Sequence, residues 1–226
     1  MKIIPVMDLM DGQVVHARRG ERDNYQPIRS TLCPSAAPEA ILQAFIESFN
    51  CRTVYIADLD AIRFQRPQFD LIERLKRRFD PLEFWLDVGV RDHKGFLAIQ
   101  DSALAVPVIG SESVNEIHWL ESLQKDSWIL SLDFKANEFL GEPTLLTYTS
   151  MWPQRVLAMN LAQVGSEDGP DFPLLGNLKQ RKSNATLYAA GGVRDNSDLA
   201  KLKQIGVYGA LVATALHNGS ILESDL

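Results

Sequence analysis

Gly89-Val90-Arg91-Asp92 recurs as Gly192-Val193-Arg194-Asp195, 103 residues further along the chain. At the same offset Val108-Ile109-Gly110-Ser111 aligns with Leu211-Val212-Ala213-Thr214. At an offset of 102, Val54-Tyr55-Ile56-Ala57-Asp58 aligns with Val156-Leu157-Ala158-Met159-Asn160. One shared tetrapeptide is weak evidence, but three matches at nearly one offset point to a duplicated half. Asp8 and Asp133 form a fourth pair, each closing an apolar run, at a larger offset of 125 that requires a longer loop early in the first half.

Working outward, short apolar runs alternate with amphipathic stretches. Strands are expected at 3–7, 53–57, 84–88, 106–109, 128–132, 155–159, 186–190 and 209–212. Helices are expected at 37–49, 69–79, 94–101, 114–123, 172–180 and 196–205, with a weaker helical stretch at 144–151. Strand-then-helix alternation gives parallel strands joined by right-handed crossovers. Eight such units in 226 residues predict one closed (β/α)8 barrel of the TIM type, built from two half-barrels and spanning residues 1–226 as a single domain.

Composition narrows the function classes. With 46% hydrophobic and 23% charged residues the chain reads as globular. Its net charge of -6 argues against general nucleic-acid binding. Cys33 and Cys51 make no disulfide framework, and with four scattered histidines they give no metal-ligand spacing, so no metal is expected. No apolar run suits a signal peptide or a membrane span, which leads to a cytoplasmic expectation. No dinucleotide fingerprint, Walker pattern or serine elbow occurs.

In such a barrel the strand ends converge on one face, where chemistry sits. Asp8 and Asp133 end the first and fifth strands, opposite one another across the mouth. Two carboxylates so placed can serve as general base and general acid if one stays charged and one protonated. Capping a loop is the alternative role for each. Gly191-Gly192 and Ala213-Thr214 end the seventh and eighth strands, where small residues let peptide N–H groups approach a phosphate. Gly89 and Gly110-Ser111 offer the equivalent phosphate cradle in the first half. There, Asp87 stands where the second half has Ala190. A carboxylate repels phosphate unless Arg91 or a protonated partner offsets it; otherwise this cradle recognises an amine or hydroxyl. Asp58 and Asp60 end the second strand, and Asn160 is the repeat equivalent of Asp58. These are substrate-binding candidates, with turn formation as the alternative. Arg18 and Arg19 are candidates for anion contact, though exposed arginines are more often plain surface charge.

These residues resemble the ProFAR isomerase family of histidine biosynthesis, which includes the cyclase subunit of imidazole glycerol phosphate synthase. The likeness rests on Ile4-Pro5-Val6-Met7-Asp8-Leu9, Asp11-Gly12, Val14-Val15, Ala57-Asp58-Leu59, Gly89-Val90-Arg91, Ile109-Gly110-Ser111, Ser131-Leu132-Asp133 and Gly191-Gly192-Val193, and covers most of the chain. The resemblance implies a barrel that binds a small phosphorylated sugar with a phosphate at each end. It implies an Amadori rearrangement of an aminoaldose to an aminoketose without a cofactor, with Asp8 matching the general base and Asp133 the general acid. No protein partner is identifiable. The chain departs from the family pattern at Asp87-Val88-Gly89, at Ala213-Thr214, at Met159-Asn160 and at Val164-Gly165-Ser166. These departures suggest a paralogous branch. Such relatives are associated with organisms that make tetrahydromethanopterin, whose pathway has a ribose monophosphate intermediate. A non-catalytic phosphate-ligand binder is the competing class, and it would need no acid/base pair.

Overall fold

The computed structural model describes residues 1–222 apart from 167 and 183. Its elements in chain order begin with β1 (Lys2–Met10), β2 (Gln13–His16), β3 (Gln26–Pro27), α1 (Pro38–Phe49), β4 (Thr53–Asp58), α2 (Leu59–Phe64), α3 (Phe69–Phe79), β5 (Glu83–Asp87), α4 (His93–Gln100) and β6 (Val106–Gly110). The second half contains β7 (Ile129–Lys135), β8 (Glu138–Leu140), α5 (Thr144–Thr147), β9 (Arg155–Asn160), α6 (Phe172–Arg181), β10 (Thr186–Ala190), α7 (Asn196–Gln204), β11 (Gly209–Val212) and α8 (Thr214–His217).

Eight parallel strands run β1-β4-β5-β6-β7-β9-β10-β11. The last pairs with the first in the register Lys2↔Gly209 to Pro5↔Val212, closing a single (β/α)8 barrel. In this ring β1 and β7 lie diametrically opposite. Each half opens with the same device: β1 folds back antiparallel onto β2, with Asp8 opposite Val15, and β7 onto β8, with Asp133 opposite Leu140. The two aspartates therefore hold equivalent places in the two halves. Neither hairpin was anticipated from the apolar pattern.

Strand alternation decides what faces the barrel axis. In β5, Phe84 and Leu86 pack outward under the helices, while Trp85 joins the inner cluster. The inner layer contains Ile4, Tyr55, Trp85, Val108, Ile129, Leu157, Tyr188 and Leu211. Trp85 meets Tyr188 edge-on, with ring centroids 5.0 Å apart, and fills the barrel axis below the site. The same period of two turns Asp8, Asp87 and Asp133 inward at the carboxyl ends of their strands.

The expected helix at 114–123 is corrected to a single 3-10 turn, His118–Ser122. Val114, Ile117, Leu120 and Leu123 are all buried, but only Leu120 lies within that turn. The 144–151 stretch is one α-turn followed by a 3-10 turn at Thr149–Met151. The second strand does not reach Asp60, so Asp58 and Asp60 do not share a strand face. Asp58 ends β4 and caps α2, its carboxylate accepting from the Ala61 N–H at 3.1 Å.

Candidate active site

A cavity of about 430 Å³ opens at the carboxyl end of the barrel. Asp8, Asp87 and Asp133 line it from three strands, with Tyr55, Arg22 and Glu112 around them. Gly191, Gly192, Ala213 and Thr214 line its opposite side. Of the sequence candidates, the structure thus brings together the two aspartates, Asp87 and the second-half small residues.

The other candidates lie outside the lining. Asp58 is fully buried and satisfied internally: besides Ala61, it accepts from the Gln68 N–H at 2.7 Å and Gln68 Nε2 at 3.2 Å. Asn160 is buried as well. Its Oδ1 accepts from the Ala162 N–H, and its Nδ2 donates to Asp171 Oδ2 at 2.9 Å and the Ala136 carbonyl at 3.3 Å. The pair equivalent by repeat performs one structural task, closing the turn after its strand. Asp60 accepts from the Asp11 N–H at 2.9 Å. Arg19 pairs with Asp168 at 3.6 Å, outside the cavity.

The first-half cradle is filled by the protein's own carboxylates. Asp87 Oδ1 accepts from the Gly89 N–H at 2.8 Å, and Asp133 Oδ2 accepts from the Glu112 N–H at 3.2 Å. Ser111 is buried, with its hydroxyl donating to the Leu140 carbonyl at 2.7 Å and accepting from the Asp133 N–H at 2.9 Å. Gly110 packs tightly beside this group, since a Cβ there would stand 3.0 Å from Asp133 Oδ2. Gly89, Gly110 and Ser111 therefore frame carboxylates and do not line the cavity. No side-chain carboxylate accepts from the peptide N–H groups of Gly191 or Gly192 among the described residues. Gly192 has φ +83 and packs so tightly that a Cβ would fall 2.2 Å from the Gly169 carbonyl oxygen. Arg194 reaches the cavity lining, but its guanidinium is committed to Asp198 through contacts of 2.8 and 2.9 Å.

Burial pushes the Asp133 carboxyl up to about 8, with Glu112 and Asp87 adding to the rise against the Ser131 hydroxyl, which donates to Oδ1 at 2.6 Å. Burial likewise raises Asp8 to about 7, with Arg22 opposing and Asp87 reinforcing. Asp87 rises to about 6 by burial, partly offset by the Gly89 N–H and by the Tyr55 hydroxyl, which donates to it at 3.1 Å. Burial works against the charge of Arg22, but its close ion pair with Glu112 outweighs this and holds it above its usual range. The site can therefore keep one carboxyl protonated and another ionised at neutral pH.

Arg22, Tyr25, Tyr55 and Glu112 escaped the sequence reading. Glu112 directly follows Ser111, so the repeat alignment carried to its next residue would have found it. Arg22 and Tyr25 sit on the long connection after β2, and no pattern announces them. His16 Nε2 lies 3.4 Å from Thr214 Oγ1, linking β2 to the second-half cradle. Among the described residues no group of three or more His, Cys, Asp or Glu side chains is arranged to hold a metal ion, and no helix is long and apolar enough to cross a membrane.

The family model described as histidine biosynthesis protein matches residues 2–222. The chain is 31% identical to an uncharacterized protein of Methanocaldococcus jannaschii over 97% of this chain and 94% of that one. It is 26% identical to a 1-(5-phosphoribosyl)-5-((5-phosphoribosylamino)methylideneamino) imidazole-4-carboxamide isomerase, or ProFAR isomerase, of Elusimicrobium minutum, over 96% and 95% of the two chains. The isomerase of the same name from Caldicellulosiruptor bescii is also 26% identical, over 98% and 96%.

Proposed function

The chain belongs to the histidine biosynthesis protein family, and on that premise we propose that it is an aldose–ketose isomerase of a ribosylated amine phosphate, with Asp8 and Asp133 as its acid/base pair. The observation that carries this reading is that two carboxyls with raised pKa values, about 7 and about 8, face one cavity from diametrically opposite strands. A pure binder gains nothing from burying them at this cost.

Asp133, the group that holds its proton to higher pH, donates it to the ribose ring oxygen as the C1–O bond breaks, leaving an iminium at C1. Asp8 then takes the proton from C2, and the electron pair moves to form the C1–C2 double bond of an enolamine. Tautomerisation of that enolamine gives the aminoketose. No redox partner enters the balance. Gly191, Gly192, Ala213 and Thr214 hold the phosphate through peptide N–H groups and the Thr214 hydroxyl. A second reading keeps this reaction but takes as substrate a ribose monophosphate intermediate of tetrahydromethanopterin biosynthesis; the carboxylates in the first-half cradle favour it.

Incubation with ProFAR and, separately, with an aryl ribosylamine monophosphate tests the proposal, turnover of either supporting it. Ketose formation is expected to fall by about 10²–10⁴ in Asp8→Asn and in Asp133→Asn, the range for losing a general acid or base. If folded protein leaves both ProFAR and an aryl ribosylamine monophosphate unchanged, the isomerase reading is wrong.

A further inference from the structure

We propose that the first-half end of the cavity refuses a phosphate and instead receives a hydrogen-bond-donating amine head, so that the substrate carries one phosphate only. This rests on the isomerase reading and specifies its substrate class.

Three observations carry it. First, the N–H groups of Gly89 and Glu112, which a phosphate would need, already serve Asp87 and Asp133 at 2.8 and 3.2 Å. Second, Arg22 is a cation at that end, but Glu112 pairs with it closely, so among the described residues lining that end no uncompensated positive charge remains for a dianion. Third, the groups facing the space are acceptors. Asp87 keeps acceptor capacity beyond its bonds to Gly89 and Tyr55, because a carboxylate offers about four lone-pair directions. Glu112 also faces the cavity.

A phosphate seated there would meet Asp87 and Glu112, and like charges so close repel. An amine or amide head presents donors to the same oxygens. Tyr25 and Tyr55 line the same space and give a flat head apolar surface to rest on. The repulsive element and the attractive one are the same two carboxylates, which makes Asp87 and Glu112 specificity-determining residues.

Equilibrium dialysis of the full chain tests this with two probes. One is 5-aminoimidazole-4-carboxamide ribonucleotide, with one phosphate and an aromatic amine. The other is ProFAR, with two phosphates, counted together with any ketose formed from it. The wild type is expected to bind the monophosphate at least about tenfold more tightly, and Glu112→Gln combined with Asp87→Asn to bring the ratio within about threefold. If the double variant fails to fold, Glu112→Gln alone is expected to lower the ratio at least about threefold, since among the described residues its side chain holds only the Arg22 pair. Equal or tighter binding of ProFAR by the wild type, an unchanged ratio in the folded variant, or binding of neither probe would overturn the proposal. Turnover is read separately: loss of the isomerase reading appears as Asp8→Asn leaving the rate intact, whatever the binding ratio.

Discussion

At the scale of single residues, the strand ends turn three carboxyls into one cavity, and their ionisation becomes the property most open to measurement. A general base must be ionised and a general acid protonated, so activity should rise as Asp8 loses its proton near 7 and fall as Asp133 loses its own near 8. The kcat/KM profile is expected to be a narrow bell between those limbs, and a flat profile from pH 5 to 9 would contradict the assignment. The same shifts bear on folding. Both carboxyls hold their protons more tightly in the folded protein than in the unfolded chain. Their contribution to stability is therefore complete below about pH 3.8 and is lost progressively as pH rises to about 7 and 8. Asp8→Asn should accordingly raise Tm, and by more at pH 8 than at pH 5. A gain of about 1 kcal/mol corresponds to about 2–4 °C in a chain of this size. Asp8 and Asp133 were legible as a pair because the repeat aligned them on equivalent strands. Asp58 and Asn160 were legible as a pair too, but pairing alone cannot tell a capping group from a substrate ligand. Only their buried partners do that.

At the scale of elements, Asp58 shows how a local cap positions the barrel. Its carboxylate binds the first turn of α2 and the backbone and side chain of Gln68, immediately before α3. Asp58→Ala removes the cap and leaves the Gln68 N–H without its partner. A loss of about 2–4 kcal/mol is expected from these two effects together. Urea denaturation measures it, and under the proposed activity the KM of the remaining folded protein should stay within about twofold; a large KM change with normal stability would restore Asp58 as a substrate ligand. Elements with strong apolar periodicity were legible in the sequence: α3, β10 and β11 fall where the spacing puts them. The hairpin extensions β2 and β8 were not. Their pairing comes from contact with the ends of β1 and β7, and their own residues alternate over too few positions to announce a strand. The 114–123 segment was misread because four apolar residues at a constant spacing of three fit either helix over so short a span.

At the scale of the whole molecule, the repeated halves supply symmetry and the first-half carboxylates break it. Both halves place small residues after their third and fourth strands, yet one cradle is filled by Asp87 and Asp133 while Gly191, Gly192, Ala213 and Thr214 remain open to the cavity. A chain with net charge -6 offers no general attraction for anions, so a phosphate must be won by local N–H and hydroxyl donors. In the first half the N–H groups of Gly89 and Glu112 already serve carboxylates. Titration with inorganic phosphate should therefore saturate at one ion per chain. At ten times Kd, linkage gives about 1.4 kcal/mol of added stability, or about 3–6 °C in Tm for this length. Thr214→Val keeps the side-chain shape while removing the hydroxyl, and should weaken that binding about tenfold, the worth of one hydrogen bond to a charged group. Glu112→Gln leaves the second-half cradle untouched, so the affinity of this first ion should stay within about twofold in that variant. Two ions bound to the wild type, or a Thr214→Val protein that binds phosphate as well as its parent, would mean that the halves are functionally alike and that their carboxylates do not divide the cavity.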